Sequence, residues 1–190
     1  RSWRYGIAVD QKFSPAIYGG LEYSERKLDV PVVNLITDRV EIADWEENLA
    51  RAYLYWTPHP LLALSAEYLF ERFQRDELST GEEAIRELKT HRFPMGISLF
   101  HPSGFSAQLK TTYIDQKGTF GTSPDDFFRD NDQFWVVDAA IRYRLPKRLG
   151  LITVAARNLF DEDFNFQDMD LANQVIFPER VVFGKITLAF

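Results

Sequence analysis

Val181-Val182-Phe183-Gly184-Lys185-Ile186-Thr187-Leu188-Ala189-Phe190 alternates with a period of two. Val182, Gly184, Ile186, Leu188 and Phe190 fall on an apolar side, and Val181, Phe183, Lys185, Thr187 and Ala189 on a mixed one. Alternation of this kind predicts a β-strand. An apolar strand left at the margin of a sheet is a template for pairing with other chains. Closing the sheet into a barrel removes the margin, whereas a soluble sandwich has to protect it in other ways. The remaining residues decide between the two.

The same pattern recurs along the chain, predicting an all-β protein of nine strands. Trp3, Tyr5, Ile7 and Val9 oppose Arg4, Gly6, Ala8 and Asp10. Ile17, Gly19, Leu21 and Tyr23 oppose Tyr18, Gly20, Glu22 and Ser24. Residues 49–56 set Ala50, Ala52, Leu54 and Trp56 against Arg51, Tyr53 and Tyr55. Residues 61–73 set Leu62, Leu64, Ala66, Tyr68 and Phe70 against Ser65, Glu67 and Glu71. Further strands are predicted over 88–100, 105–114, 134–145 and 149–160. The strand at 134–145 is the clearest, with Trp135, Val137, Ala139, Ile141 and Tyr143 opposite Asp138, Ala140, Arg142 and Arg144. Pro94, inside the fifth strand, predicts a bulge or a missing ladder bond.

Aromatic residues make up 15% of the chain, yet mean hydropathy is −0.27 and no run of about 18 apolar residues exists. That excludes a helical membrane span but fits a transmembrane barrel, whose lipid-facing and interior residues alternate. Cysteine is absent, so there is no disulfide framework or zinc–thiolate site. A net charge of −6 argues against a nucleic-acid partner.

Short connections at Ser14-Pro15, Thr57–Pro60, His101–Gly104 and Pro146–Gly150 alternate with long ones, expected over 28–47, 74–87, 115–133 and 161–177. Transmembrane barrels show this asymmetry, with short periplasmic turns and longer extracellular loops. Segments 31–47 and 157–177 each carry a net charge of −4, whereas the turn 146–150 holds Lys147 and Arg148. The long connections are therefore expected to face lipopolysaccharide. Trp3, Tyr23, Trp56, Trp135 and Tyr143 fall near strand ends, as interfacial aromatics do.

The polar sides carry Arg4, Arg26, Arg51, Arg92, Lys110, Arg142, Arg144, Arg157 and Lys185, together with Asp10, Glu22, Glu67, Glu71 and Asp138. A charge at the lipid midplane costs about 2–4 kcal/mol. Arg51, Glu67, Lys110, Asp138, Arg142, Arg144, Arg157 and Lys185 are therefore expected to face a lumen. Two readings of that lumen stay open. One is a salt-bridge ladder between facing strands, and the other is an interior biased towards anionic solutes.

Asn158-Leu159-Phe160-Asp161, followed by Pro178-Glu179-Arg180 and the strand to Phe190, resembles the carboxy-terminal end of TonB-dependent outer-membrane receptors. In that family an Asn-Leu-Phe-Asp corner ends the penultimate strand, and a Pro-Gly-Arg turn launches a last strand ending on Phe. Here Glu179 stands in place of the usual Gly. The resemblance covers about the last 35 residues. It implies a large barrel, an amino-terminal plug and a segment that contacts TonB, and neither plug nor contact segment is visible in residues 1–190.

The fold expected is thus an antiparallel up-and-down transmembrane β-barrel of the Gram-negative outer membrane. This chain would supply about nine strands as a single segment, the carboxy-terminal part of a larger barrel. With short turns in the periplasm, counting strands back from Phe190 places Arg1 at the extracellular rim, so at least one further strand is expected and the sheet should be open. The expected function is receptor or transporter for solute uptake. A barrel serving export or anchoring a periplasmic domain, and a soluble β-sandwich binding module, are the alternatives. Expected partners are outer-membrane lipid and lipopolysaccharide, the preceding strands or plug, TonB, and the barrel assembly machinery. That machinery would read Ile186, Leu188 and Phe190.

No catalytic residue or cofactor is expected, since none of His59, His91 and His101 has a Ser nucleophile at a recognisable spacing. Asp161, Asp163, Asp168 and Asp170 offer the oxygen ligands calcium prefers. They lack the Gly-containing spacing of an EF-hand loop, so a solvated acidic loop is the favoured reading.

Overall fold

The computed structural model describes residues 1–34, 38–75, 84–123, 126–167 and 176–189. Period-two alternation becomes nine strands: β1 (Ser2–Ser14), β2 (Ile17–Asn34), β3 (Arg39–His59), β4 (Leu62–Arg75), β5 (Ala84–Phe100), β6 (Phe105–Ser123), β7 (Asp126–Arg144), β8 (Gly150–Arg157) and β9 (Val181–Leu188). They form one sheet in sequential order, every neighbouring pair antiparallel. No α-helix occurs among the described residues, only a 3-10 turn at Pro146–Arg148. There Gly150 sits at φ +153, where any side chain would strike the Thr187 carbonyl oxygen. β1 and β9 are not paired with each other, so the sheet is open, as expected from the strand count. A two-sheet sandwich is not what the described residues form.

The expected long loops need correcting. Segments 28–47 and 115–133 are largely strand, and the described residues of 74–87 (74–75 and 84–87) are strand too, because hairpins extend well past the apolar alternation. β2 and β3 stay in register from Ile17↔Trp56 to Asn34↔Arg39, and β6 and β7 from Phe105↔Tyr143 to Ser123↔Asp126 with one irregularity. β-Branched residues such as Val30, Val32, Val40 and Ile42 favour the extended backbone there. Cross-strand ion pairs, Arg26–Glu47 at 3.2 Å and Arg72–Glu87 at 2.7 Å, replace apolar packing. Among the described residues, 158–167 and 176–180 belong to a long connection without strand. At Pro94 the β4–β5 ladder runs from Leu62↔Leu99 to Ala66↔Met95 and resumes at Leu69↔Arg92 in the same register. The proline therefore costs ladder pairs without a bulge, since it has no N–H to donate.

Register assigns the faces. Val9, Leu21, Ala52 and Tyr68 share one face across β1–β4, and Phe93, Tyr113 and Trp135 continue it across β5–β7. This apolar face is uncovered: Ile7 is 69% exposed, Ile141 60% and Ile186 68%. A row of rings on one side and a ring pair on the other mark its margins. Trp135 lies 5.0 Å from Tyr113, Tyr113 6.1 Å from Phe93, and Phe93 4.8 Å from Tyr68. Towards the short turns, Phe105 lies 4.5 Å from Tyr143. Trp135 and Tyr143 are eight positions apart on β7, about 26 Å along the strand at roughly 3.3 Å per residue.

Candidate functional site

The opposite face is polar near the short turns and becomes apolar towards the long hairpins. Arg51, Glu67, Lys110, Asp138, Arg142, Arg144, Arg157 and Lys185 all lie on it by register. The structure treats its two halves differently. On β1–β5, several charges are partnered across strands. Arg51 meets the Glu67 carboxylate at 2.9 Å, and the Tyr55 hydroxyl donates to the same carboxylate at 2.7 Å. Arg92 meets Glu71 at 2.5 Å, Tyr53 donates to Asp10, and Arg4 donates to Ser24 at 3.2 Å. This half is the expected ladder.

On β6–β9 the ladder stops. Lys110, Arg142, Arg144, Arg157 and Lys185 make no ion pair among the described residues. Arg142 donates to the Gln108 side chain at 2.9 Å, and Arg157 lies over the rings of Phe177 and Phe183 at 4.3 and 5.8 Å. Lys110 stands directly across the ladder from Asp138, where an ion pair is the ordinary outcome. Asp138 is instead engaged by the backbone N–H of Asn158, which donates to it at 3.1 Å.

That contact belongs to a corner built from the motif residues. Asn158, 1% exposed, donates from its amide to the carbonyls of Glu162 at 2.9 Å and Pro178 at 3.1 Å, and its Oδ1 accepts from the Glu162 N–H at 2.9 Å. Leu159 donates its N–H to the Val137 carbonyl at 2.7 Å, tying the corner to β7. Asp161 accepts from the Arg180 N–H at 2.9 Å and faces its guanidinium at 3.6 Å. Asn158 and Asp161 sit at φ +46 and +59, a region Asn and Asp tolerate better than most residues. Glu179 is not among the positive-φ residues, so the turn is made without the glycine its motif usually carries.

From this corner the chain folds onto the polar face. Phe164 stacks on Phe134 at 4.0 Å and 2°, Phe166 meets the same ring edge-on, and Ile176 joins Ile114, Phe134 and Val136 in a buried cluster. Gln116 closes the contact, donating to the Gln167 carbonyl and accepting from its N–H at 3.2 and 2.8 Å. Sequence reading missed this infolding. The one available signal was a pair of rings two residues apart, Phe164 and Phe166, in an otherwise acidic stretch. Beside the infolded segment lies a cavity of about 200 Å³ whose lining includes Glu67, Arg92, Lys110, Asp138, Arg157 and Phe177. It joins four of the eight expected lumenal residues and leaves Arg51, Arg142, Arg144 and Lys185 outside its lining.

The other candidates are placed as follows. Ile186 and Leu188 lie on the exposed apolar face of β9, and Phe190 lies outside the described residues. Asp168 and Asp170 also lie outside them. Asp161 is engaged by Arg180 and Asp163 is exposed, and no three metal-ligating side chains converge among the described residues. His59 and His101 sit in short turns, accepting from the N–H groups of Leu61 and Ser103, while His91 pairs with the Tyr68 hydroxyl at 2.9 Å. Beyond the rings, partial burial pushes the Glu87 carboxyl up, but Arg72 and Lys89 more than reverse this and hold it below the usual carboxylate range. Comparison with known protein families, curated proteins and solved structures finds no match.

Proposed function

We propose that this chain forms part of the wall of a β-barrel in the outer membrane of a Gram-negative bacterium, serving as a receptor or transporter for solute uptake. The carrying observation is the uncovered apolar face, bounded by a row of rings towards the long hairpins and by the Phe105–Tyr143 pair towards the short turns. Its span of about 26 Å along a strand tilted by roughly 40° gives a band about 20 Å tall. Lipid-facing bands of such barrels are about 25 Å tall and edged by aromatic girdles. In water, so large a contiguous apolar surface marks an interaction site or an aggregation hazard; in lipid it needs no other cover.

The polar face then looks into a lumen, where its unpaired cations remain hydrated. The hairpins extending past the rings stand above the outer leaflet, and residues 158–167 and 176–180 enter the lumen from that side. In hydrocarbon, each unpaired backbone group along the open edges of β1 and β9 costs several kcal/mol. Further strands or other protein therefore cover those edges, and the whole barrel is larger than this sheet. The resemblance at Asn158–Asp161 and Pro178–Arg180 supports uptake, with TonB as the energy-coupling partner.

Fractionation tests the compartment. The protein should pellet with outer membranes and migrate faster on a gel when unheated than when boiled. Recovery in the soluble fraction, with one mobility at all temperatures, would contradict the proposal.

A further inference from the structure

We propose that the cavity between Lys110, Arg157 and Arg92 is a binding site for a small free oxyanion, a phosphate or a short carboxylate. Three observations carry this. Lys110 makes no ion pair among the described residues, and Asp138, opposite it on the ladder, accepts from the Asn158 N–H at 3.1 Å. Arg157 is positioned by the rings of Phe177 and Phe183 rather than by a carboxylate. Arg92, although its guanidinium reaches Glu71, keeps its Nε buried with no hydrogen-bond partner. A buried donor without a partner is uncommon in a folded protein.

Charge within the lining points the same way. Glu67 is offset by Arg51, and Arg92 by Glu71. Lys110 and Arg157 then remain against Asp138 alone, so the lining favours a negative guest. Arginine is suited to oxyanions because its planar donors match two oxygens at once, while lysine adds a point charge. At about 200 Å³ the cavity has room for roughly six or seven waters. It is smaller than the roughly 300–1,000 Å³ clefts of drug-sized ligands, and a small anion fits it. The site rests on the lumenal reading of this face for the guest's route of entry.

The test titrates inorganic phosphate and succinate into the full chain, folded in lipopolysaccharide-free detergent, by calorimetry. Both anions should bind, and Lys110→Gln combined with Arg157→Gln should weaken binding by at least about tenfold. Arg144→Gln, on the same face but outside the cavity, should change it less than about twofold. If the double variant does not fold, Asp138→Asn keeps an acceptor for the Asn158 N–H while removing a negative charge, and should tighten binding several-fold. Absence of phosphate and succinate binding, equal weakening by Arg144→Gln, or no tightening in Asp138→Asn would overturn the site. So would binding of lipopolysaccharide micelles in place of both small anions, since that identifies a lipid headgroup as the guest. The gel mobility shift is read on the same samples. Its retention without anion binding refutes the site alone, and its loss in the parent protein refutes the barrel.

Discussion

Ala139→Arg should block insertion, whereas Ala140→Arg, one residue along β7, should be tolerated. Ala139 lies on the apolar face midway between Trp135 and Tyr143, and Ala140 points to the polar face. Arginine at the lipid midplane of a barrel costs about 2–4 kcal/mol, falling to about 0–1 near the interfaces. Ile141→Arg, closer to the Tyr143 ring, should be disruptive but less so. Arg144→Leu should be nearly neutral, because Arg144 lies on the polar face and has no described ion pair. Urea unfolding in lipid vesicles, followed by tryptophan emission, orders these variants. Equal loss in Ala139→Arg and Ala140→Arg would mean that the two faces meet the same solvent.

The second large effect is expected at Asn158. Its side chain satisfies one N–H and two carbonyls while almost fully buried. Asn158→Ala removes all three hydrogen bonds, each worth about 0.5–1.5 kcal/mol. Alanine at φ +46 adds roughly 1–2 kcal/mol of backbone strain. After local relaxation we expect a loss of about 3–5 kcal/mol. Asn158→Gly should lose about 1 kcal/mol less, since glycine accepts the backbone conformation. Urea midpoints of the three proteins separate the two contributions. A difference between parent and Asn158→Ala within about 0.5 kcal/mol would show that the corner holds nothing together.

Much of the fold was legible because strand faces obey a strict period. Trp135, Val137, Ala139 and Ile141 alternate against Val136, Asp138, Ala140 and Arg142, and the register places them on opposite faces. The hairpin extensions were not legible, because Asp29, Glu41, Asp44, Glu46 and Glu47 interrupt the apolar alternation. Their strands are held by pairing and ion pairs, which have no local signature. The motif residues announced a corner, and Asn158, Asp161, Pro178 and Arg180 do meet. The engagement of Asp138 was hidden, since it depends on a backbone N–H reaching it from another strand's end. Local pattern favoured a cross-strand ion pair, whereas Asp138 accepts a tertiary hydrogen bond and Lys110 makes no ion pair among the described residues. The infolded rings were hidden for a related reason. Phe164 and Phe166 sit among acids, with no period to show that they turn back onto Phe134.

The central claim is that one face of this sheet meets lipid and the other an aqueous interior. The chain has no cysteine, so single cysteines at each position from 134 to 142 can carry a nitroxide label without background. In lipid vesicles, relaxation by oxygen should peak at 135, 137, 139 and 141, and relaxation by a water-soluble nickel complex at 138, 140 and 142. Positions 134 and 136, packed against the infolded segment, should be shielded from both. High nickel accessibility at 137, 139 and 141, equal to that at 138, 140 and 142, would contradict the account.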